Sequence, residues 1–305
     1  MTGTSSPLID PRIDVYGKDG RTGALADLIE FRAIKGHGMA VADLVDLISN
    51  MGWTSKPTRQ IITGHPEDEN PDSLAEQTFS LLDERREVLG DRYPFRIAFG
   101  QLRVKDGFEL AASPYIAMLA ITIAHAWDVD CGAVKPEAAL EALVEAALQT
   151  RMPSAGLGTA DRNGTSFVDN LRAGAARVGL TASPNPVPRR VRAKDGGVDT
   201  LAGHVWADRR AGHWVFIGQV TCGQTSTWSG KLNEPKPALW KDYLQELLPP
   251  LRFLAVPHHV DSGFFHMLQK QDEGLVIDRL RLVLVLDTVV GSVAPIIDAV
   301  LASAS

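Results

Sequence analysis

An acid and an amide in the second half of the chain have the types and settings of metal ligands. Asp199 ends the segment DGGVD, where two glycines predict a turn that delivers the acid onto a strand. Gln219 interrupts the apolar segment HWVFIGQVTC, where a buried strand would otherwise carry only apolar side chains. A carboxylate and an amide oxygen on adjacent strands are hard ligands, which suit Mg²⁺ or Mn²⁺. Such an ion lowers the pKa of an attacking water and stabilises charge on phosphorus.

Three motifs follow one another in the order SFVDNL, DGGVD and IGQVT, and this order resembles the PD-(D/E)xK nuclease superfamily. The resemblance is to Mrr-like restriction endonuclease domains, which carry a helical acid, then D-G-G-(I/V)-D, then a strand with Q-x-K. It covers about residues 160–300. It implies an αβββαβ core that cleaves the DNA backbone with Mg²⁺. It also implies Asp199, Gln219 and the main-chain carbonyl of Val220 as metal ligands, with Asp169 in the place of the helical glutamate.

The third motif lacks the lysine of the family, because Thr221 stands at that position. In the family this lysine orients the attacking water and neutralises charge in the transition state. A lysine elsewhere can do the same if its long side chain reaches that point. Lys231, in TWSGKL, is the first candidate and is expected in a loop after the strand, and Lys194 is the second. If neither reaches the site, the domain is expected to bind DNA or a partner protein without cutting.

A basic cluster precedes the proposed metal motif in a chain whose formal net charge is -6. This net charge argues against a protein that coats nucleic acid by bulk charge, but a local cluster can still contact a duplex. Phosphate contacts fix the register of a protein on DNA without reading its sequence. A solvated edge strand protected by charge is the alternative. The residues expected to contact DNA are Arg189, Arg190, Arg192 and Lys194.

Each candidate residue also has an ordinary structural interpretation. Asp199 could cap a turn, and Gln219 could satisfy a buried partner. Asp169 could be an acid that favours the first turn of a helix. The sequence leaves these alternatives open beside the catalytic interpretation.

Two other chemistries are considered from the same region. Cys222 could be a nucleophile with a histidine as base, although a cysteine at the end of a buried strand is most often an apolar filler. The segment PHHVD, with His258, His259 and Asp261, could form a zinc site. Adjacent histidines on a strand point to opposite faces, however, which makes shared ligation awkward.

The chain is predicted to form two units joined near residues 153–163, in the Gly- and Ser-rich segment PSAGLGTADRNGTS. Residues 1–155 are expected to form a mainly helical domain for recognition, regulation or partner docking. Residues 160–305 are expected to form the nuclease domain, in which helices alternate with apolar strands. With the resemblance, the predicted fold class is α/β: a mixed-sheet, restriction-endonuclease-like core (αβββαβ) with an N-terminal mainly helical domain.

Periodicity predicts the individual elements. In the first half, helices are predicted at MAVADLVDLISNMGW, NPDSLAEQTFSLLDERREVLG, SPYIAMLAITIAHAW and KPEAALEALVEAALQTRM, with one strand at FRIAFGQLRVK. In the second half, helices are predicted at SFVDNLRAGAARVGL, PALWKDYLQELLPPL and APIIDAVLASA. Strands are predicted at RRVRAK, VDTLAGHVWA, HWVFIGQVTC and RFLAVP. LRLVLVL is predicted as a central strand, because it is apolar without alternation.

The remaining expectations concern the setting of the protein. Two cysteines, no basic or apolar leader segment and no apolar run long enough for a bilayer favour a cytoplasmic protein. The expected function is that of a Mg²⁺- or Mn²⁺-dependent DNA endonuclease in bacterial restriction or anti-phage defence. The expected partners are DNA and a second protein of a defence system, and a homodimer would allow double-strand cutting. An enzyme acting on RNA or nucleotides is a further alternative.

Overall fold

The computed structural model describes residues 20–51, 70–157, 166–184, 196–208, 210 and 212–303. These residues form a mixed α/β protein with eleven α-helices and seven strands. The helices are α1 (Arg21–Ile34), α2 (Val41–Met51), α3 (Pro71–Leu89), α4 (Pro114–Trp127), α5 (Pro136–Gln149), α6 (Phe167–Arg177), α7 (Thr225–Leu232), α8 (Pro237–Tyr243), α9 (Ser262–Asp272), α10 (Arg279–Val285) and α11 (Ala294–Ala302). The strands are β1 (Phe95–Ala98), β2 (Gln101–Val104), β3 (Ser154–Gly156), β4 (Thr200–His204), β5 (Trp214–Val220), β6 (Leu251–Ala255) and β7 (Leu275–Ile277).

The helices of the first half begin at caps that the sequence encodes. The side chain of Asn70 caps α3 by accepting from the Asp72 N–H at 3.1 Å. Ser113 caps α4 through its side chain in the same way. Gly90 ends α3 with a φ of 55°, which a glycine adopts without strain. The helices predicted over these two segments are confirmed, and α4 is buried nearly all round, as its composition indicates.

The segment FRIAFGQLRVK is a β-hairpin, so its prediction as one strand is wrong. The strands β1 and β2 pair antiparallel, with Ala98 opposite Gln101. The two residues between them, Phe99 and Gly100, have φ angles of 54° and 73°. Two positive φ angles in a two-residue loop are typical of a type I′ turn, which matches the twist of the flanking strands.

A five-stranded mixed sheet follows, in the order β3-β4-β5-β6-β7. β3 pairs antiparallel with β4 and β4 with β5, whereas β6 runs parallel to β5 and β7 parallel to β6. The register sets Thr200 opposite Gly218 and Gln219 beside Leu254. Because successive side chains of a strand point to opposite faces, Gln219 shares a face of β5 with Ile217. The predicted α/β class with a mixed sheet is confirmed at this level.

Helices cover both faces of this sheet. On one face, Leu201 and Ile217 pack in a cluster with α6 and α8, and Leu254 packs with α7 and α9. On the other face, Val220 and Phe253 belong to a large cluster that includes α1, α3, α4, α5, α10 and α11. The helices of the first half and the sheet of the second half therefore share one hydrophobic core across the predicted boundary.

The segment LRLVLVL lies within a helix, α10, and its prediction as a central strand is wrong. The side chain of Asp278 caps this helix by accepting from the Arg281 N–H at 3.0 Å. Leu280 and Val283 are buried, whereas Leu284 is 43 % exposed. A short apolar run does not distinguish a buried helix from a buried strand, which explains the error. The strand β5 occupies the centre of the sheet instead.

Four buried charged side chains join α1, α3 and α10 inside the shared core. Arg279 donates to the carboxylate of Asp27 from both terminal nitrogens, at 2.7 Å each. Arg85 Nη1 lies 2.8 Å from Glu30 Oε2 and 2.8 Å from Asp27 Oδ1. The hydroxyl of Tyr115 donates to Glu30 Oε1 at 2.7 Å. Burial alone would raise the pKa of Asp27, but Arg279 and Arg85 outweigh it and lower the pKa to about 2, so this carboxylate is ionised at neutral pH.

The strands β5 and β6 pack closely because Gly218 has no side chain. A Cβ added to Gly218 would lie 2.2 Å from an atom of the Phe253 ring. This ring belongs to the shared core, so the glycine fixes how the sheet meets the helices of the first half.

Within the described residues, no helix is both long enough and apolar enough to cross a membrane.

Candidate active site

Asp199 lies on irregular backbone just before β4. Its N–H donates to the Gly218 carbonyl at 2.8 Å, and Gly218 is also the partner of Thr200. Two residues of one strand therefore oppose one residue of the other, which is the arrangement of a β-bulge. The Asp199 Oδ2 accepts from the Val220 N–H at 2.8 Å. This bond holds the carboxylate at the carboxyl end of β5, beside the residue that follows Gln219.

Gln219 and Lys231 are in direct contact. Gln219 is 3 % exposed, and its Oε1 accepts from Lys231 Nζ at 3.3 Å. Lys231 lies in the last turn of α7, so its predicted position in a loop is wrong. The helix begins five residues after β5 and packs on β6, which turns Lys231 back toward the strand. The structure therefore brings together an amide and a lysine that are well separated in the sequence.

Glu234 is a member of the site that the sequence analysis missed. Its Oε2 lies 3.0 Å from Lys231 Nζ, with both side chains partly exposed. The backbone of Glu234 also approaches the DGGVD turn, because a Cβ added to Gly197 would lie 3.1 Å from the Glu234 carbonyl oxygen. The spacing of three residues from Lys231 was the available signal, since such pairs are neighbours on a helix.

The other sequence candidates are placed less centrally. Thr221, at the position of the family lysine, accepts through Oγ1 from the Gly223 N–H at 3.0 Å and forms part of the turn into α7. Asp169 is exposed and belongs to the cap of α6, where its N–H donates to Ser166 Oγ at 3.2 Å. Ser166 Oγ in turn donates to Asp169 Oδ2 at 2.7 Å, so the hydrogen bonds of Asp169 are those of a helix cap. The residues predicted to contact DNA lie outside the described residues: Arg189, Arg190, Arg192 and Lys194.

The three expected metal ligands at the end of β5 are all oxygens: the Asp199 carboxylate, the Gln219 amide carbonyl and the main-chain carbonyl of Val220. The buried Gln219 Oε1 already accepts a hydrogen bond from the Lys231 ammonium, so it is in contact with a positive charge. Carboxylate and carbonyl oxygens are the ligands that Mg²⁺ and Mn²⁺ prefer.

The described residues contain no group of three His, Cys, Asp or Glu side chains placed to hold a metal ion, so they give no support to the zinc alternative at PHHVD. The groups in question have other partners. His258 Nε2 lies 3.2 Å from the Cys222 carbonyl oxygen, and Arg85 Nε donates to His259 Nδ1 at 3.4 Å. Asp261 Oδ1 accepts from two amides in the first turn of α9.

The environment of Cys222 also argues against the cysteine alternative. Cys222 is 1 % exposed. Burial raises the pKa of its thiol well above the usual value, and two carboxylates, Glu137 and Glu141, raise it further. Because the thiolate is the nucleophile, a thiol kept neutral in this way is inert.

The free energy of unfolding is expected to fall as the pH drops from about 7 to about 5. Burial lowers the pKa of His258 to about 4 and that of His259 to about 2, from an ordinary 6.5. Below pH 6.5 the unfolded chain therefore binds protons that the folded chain does not, and stability is lost as the pH falls toward the lowered values. The expected loss is on the order of 2–4 kcal/mol, measured by urea unfolding at several pH values.

Two variants separate this effect from general acid sensitivity. The double variant His258→Asn, His259→Asn is expected to flatten the pH dependence. His266→Asn, on the exposed side of α9, is expected to leave it unchanged. A double variant with the pH slope of the wild type would contradict the assignment.

No family model, no curated protein and no solved structure matches the chain. The support for a function therefore comes from the geometry of the site and from the motif resemblance.

Proposed function

We propose that this chain is a metal-dependent endodeoxyribonuclease that hydrolyses phosphodiester bonds with Mg²⁺ or Mn²⁺. The observation that carries the proposal is the contact of Lys231 Nζ with Gln219 Oε1, at 3.3 Å. A lysine from α7 thus reaches the strand that carries Gln219, which supports Lys231 as the replacement for the lysine missing from position 221. The Asp199 carboxylate accepts from the Val220 N–H, the next amide of that strand, at 2.8 Å, which places it at the same end of β5 as Gln219.

Each residue has a role that follows from its position. Asp199, Gln219 and the Val220 carbonyl would hold the ion, which supplies Lewis-acid activation of water and stabilises charge on the phosphate. Lys231 would orient the attacking water and neutralise charge that develops in the transition state. Glu234, at 3.0 Å from Lys231 Nζ, holds the ammonium in place. The β-bulge at Asp199 aims the carboxylate along β5, as bulges beside active sites commonly do.

The fold supports the same proposal. Two antiparallel pairings lead to β5, a parallel strand follows after α7 and α8, and α6 lies against the sheet. This arrangement is compatible with the αβββαβ core of the restriction-endonuclease-like fold. One difference is that β3 joins the sheet before α6 in the sequence. Because fold alone does not determine function, the proposal depends on the site and not on this likeness.

DNA is the proposed substrate, and restriction or anti-phage defence is the proposed role. The basic residues Arg189, Arg190, Arg192 and Lys194 would contact phosphates beside the metal motif. A homodimer would supply two sites for double-strand cutting, and a second defence protein would supply sensing. Both assemblies are proposed on the motif resemblance.

Purified protein incubated with supercoiled plasmid and Mg²⁺ or Mn²⁺ is expected to give nicked and linear DNA. Asp199→Asn is expected to lower the rate at least about 100-fold, because it removes the negative ligand while keeping the shape of the side chain. Asp298→Asn, on the exposed side of α11, is the matched control and is expected to retain the wild-type rate. Cleavage that persists in Asp199→Asn would contradict the proposal.

A non-catalytic DNA- or protein-binding subunit is the second candidate, and Thr221 at the lysine position favours it. Binding of the plasmid without cleavage, unaffected by Asp199→Asn, would support this candidate. An RNA substrate in the same assay tests the third one, an enzyme that acts on RNA. Cleavage of RNA in preference to DNA would identify it.

A further inference from the structure

The β1–β2 hairpin carries a fully exposed aromatic side chain at its turn. Phe99 is 95 % exposed and forms the two-residue turn together with Gly100. Its φ of 54° lies in the left-handed region, which a bulky residue rarely occupies and where Asn or Gly is favoured. The fold therefore gains neither burial nor a suitable turn conformation from a phenylalanine at this position. An exposed aromatic side chain in an unfavourable backbone conformation points to a contact with another molecule.

Two arginines lie side by side on the outer face of the same hairpin. Arg96 and Arg103 are directly opposite each other in the antiparallel register, and both are exposed. The inner face carries Phe95 and Leu102, which belong to the shared core. Like charges that face each other across a pair of strands destabilise the pair. The fold gains nothing from this arrangement, whereas an anion placed over both guanidinium groups would be held by two charges.

The ring and the charges belong to one surface. The guanidinium carbon of Arg103 lies 6.0 Å from the centre of the Phe99 ring. Arg103 Nη2 donates to Gln101 Oε1 at 3.0 Å, and this uncharged partner leaves the positive charge uncompensated. Arg96 Nη2 lies 2.6 Å from Asp106 Oδ2, but the side chain of Asp106 is 86 % exposed, and such surface ion pairs are weak. The outer face therefore presents an exposed ring and two accessible guanidinium groups.

The hairpin is also locally basic within an acidic chain. The segment from Phe95 to Asp106 contains two arginines, one lysine and one aspartate, whereas the formal net charge of the chain is -6. The lysine, Lys105, donates to the Gly90 carbonyl at 3.2 Å and so keeps its charge without a carboxylate partner in that bond. A local excess of positive charge of this kind attracts an anionic partner to one place on the surface.

We propose that the outer face of the β1–β2 hairpin binds duplex DNA, with Phe99 against the bases and Arg96 and Arg103 on the phosphates. A guanidinium group pairs with two oxygens of a phosphate, and an aromatic side chain stacks on a base or enters a base step. Nucleic acid is the polyanion that presents flat rings beside its charges, which matches both features of this face. The proposal rests on the proposed function in its choice of DNA, and it adds a contact surface that the motif resemblance does not supply.

Phe99→Asn is the decisive variant. Asparagine accepts a positive φ in this turn, so the fold is expected to keep its stability while the ring is lost. Binding is measured by fluorescence anisotropy of a labelled DNA duplex titrated with the full chain in EDTA, which prevents metal-dependent cleavage. The affinity is expected to fall about tenfold, with an unchanged dependence on salt, because no charge is removed. Leu247→Asn, which removes another exposed apolar side chain, is the control and is expected to bind like the wild type.

Two charge variants test the phosphate contacts in the same assay. Arg103→Gln is expected to weaken binding and to reduce the slope of log affinity against log salt by about one, because one phosphate contact is lost. Asp106→Asn is expected to raise the affinity at least about threefold, because it releases Arg96 and removes a charge that repels phosphate. The exposed pair of Arg210 with Asp208, at 2.8 Å, supplies the controls Arg210→Gln and Asp208→Asn, which are expected to change the affinity at most about twofold.

Four outcomes would overturn the proposal. They are no DNA binding by the wild type, wild-type affinity in Phe99→Asn, a wild-type salt slope in Arg103→Gln, and binding of polyglutamate as tight as that of DNA, which would indicate an acidic protein as the partner. DNA binding that depends on Phe99 and Arg103 in a protein that never cleaves plasmid would contradict the nuclease proposal alone. Cleavage by a protein whose DNA binding is independent of both residues would contradict the hairpin proposal alone.

Discussion

Arg85→Ala is expected to lower the free energy of unfolding by about 3–5 kcal/mol, which is a large part of the stability of an ordinary protein. The guanidinium is fully buried and lies within 2.8 Å of both Glu30 and Asp27. Its removal leaves Glu30, also fully buried, with tyrosine hydroxyls as donors but without its nearest cation. A buried charge that loses its nearest partner costs several kcal/mol, and Arg279, whose Nη1 lies 3.7 Å from Glu30 Oε2, would offset only part of this cost.

The neighbouring residue supplies the control for this prediction. Arg86 lies on the same helix and pairs with Asp83 at 3.0 Å, with both side chains about half exposed. Surface pairs of this kind contribute about 0–1 kcal/mol, so Arg86→Ala is expected to change stability little. Urea unfolding followed by circular dichroism measures both variants. Equal effects of the two substitutions would show that the buried ion network does not stabilise the fold.

Lys231→Ala is expected to lower the rate of plasmid cleavage by about 100–1000-fold while leaving DNA binding nearly intact. The ammonium lies 3.3 Å from the Gln219 carbonyl oxygen, and the proposed chemistry needs this charge in the transition state more than in the bound substrate. Lys236→Ala is the matched control, since Lys236 is exposed and contacts the main chain of Asn233. Single-turnover cleavage rates and DNA affinity are measured for both variants.

A variant that moves the lysine to position 221 tests this prediction most directly. Residue 221 follows Gln219 by two positions, so on an extended chain its side chain points to the same face. Thr221→Lys in the Lys231→Ala background is therefore expected to restore part of the cleavage rate. A Lys231→Ala variant that cleaves at the wild-type rate, or a loss that equals that of Lys236→Ala, would remove Lys231 from the mechanism.

The motifs of the sequence indicated two residues of the candidate site, Asp199 and Gln219, but not the residues around them. Asp199 and Gln219 stand out because an acid after two glycines and an amide within an apolar strand are unusual settings. The helical position of Lys231 was missed because TSTWSGKL is short and weakly periodic. Glu234 was missed because an exposed acid near a lysine is common on any surface.

The elements that were predicted wrongly lie in segments whose sequence patterns are compatible with more than one secondary structure. LRLVLVL is apolar without a clear period, and the buried salt bridge of Arg279 with Asp27, which helps fix it as a helix, joins residues far apart in sequence. The β-hairpin at Phe99 was missed because its turn contains a bulky residue in a conformation that usually favours Gly or Asn.

The bond between Asp27 and Arg279 ties a helix near one end of the chain to a helix near the other. A fragment of residues 160–305 would lack the carboxylate that pairs with Arg279 and would expose this arginine and the apolar side of the sheet to water. Such a fragment is therefore expected not to fold by itself. A transfer of the DGGVD and IGQVT segments to another protein is expected to need the N-terminal helices as well.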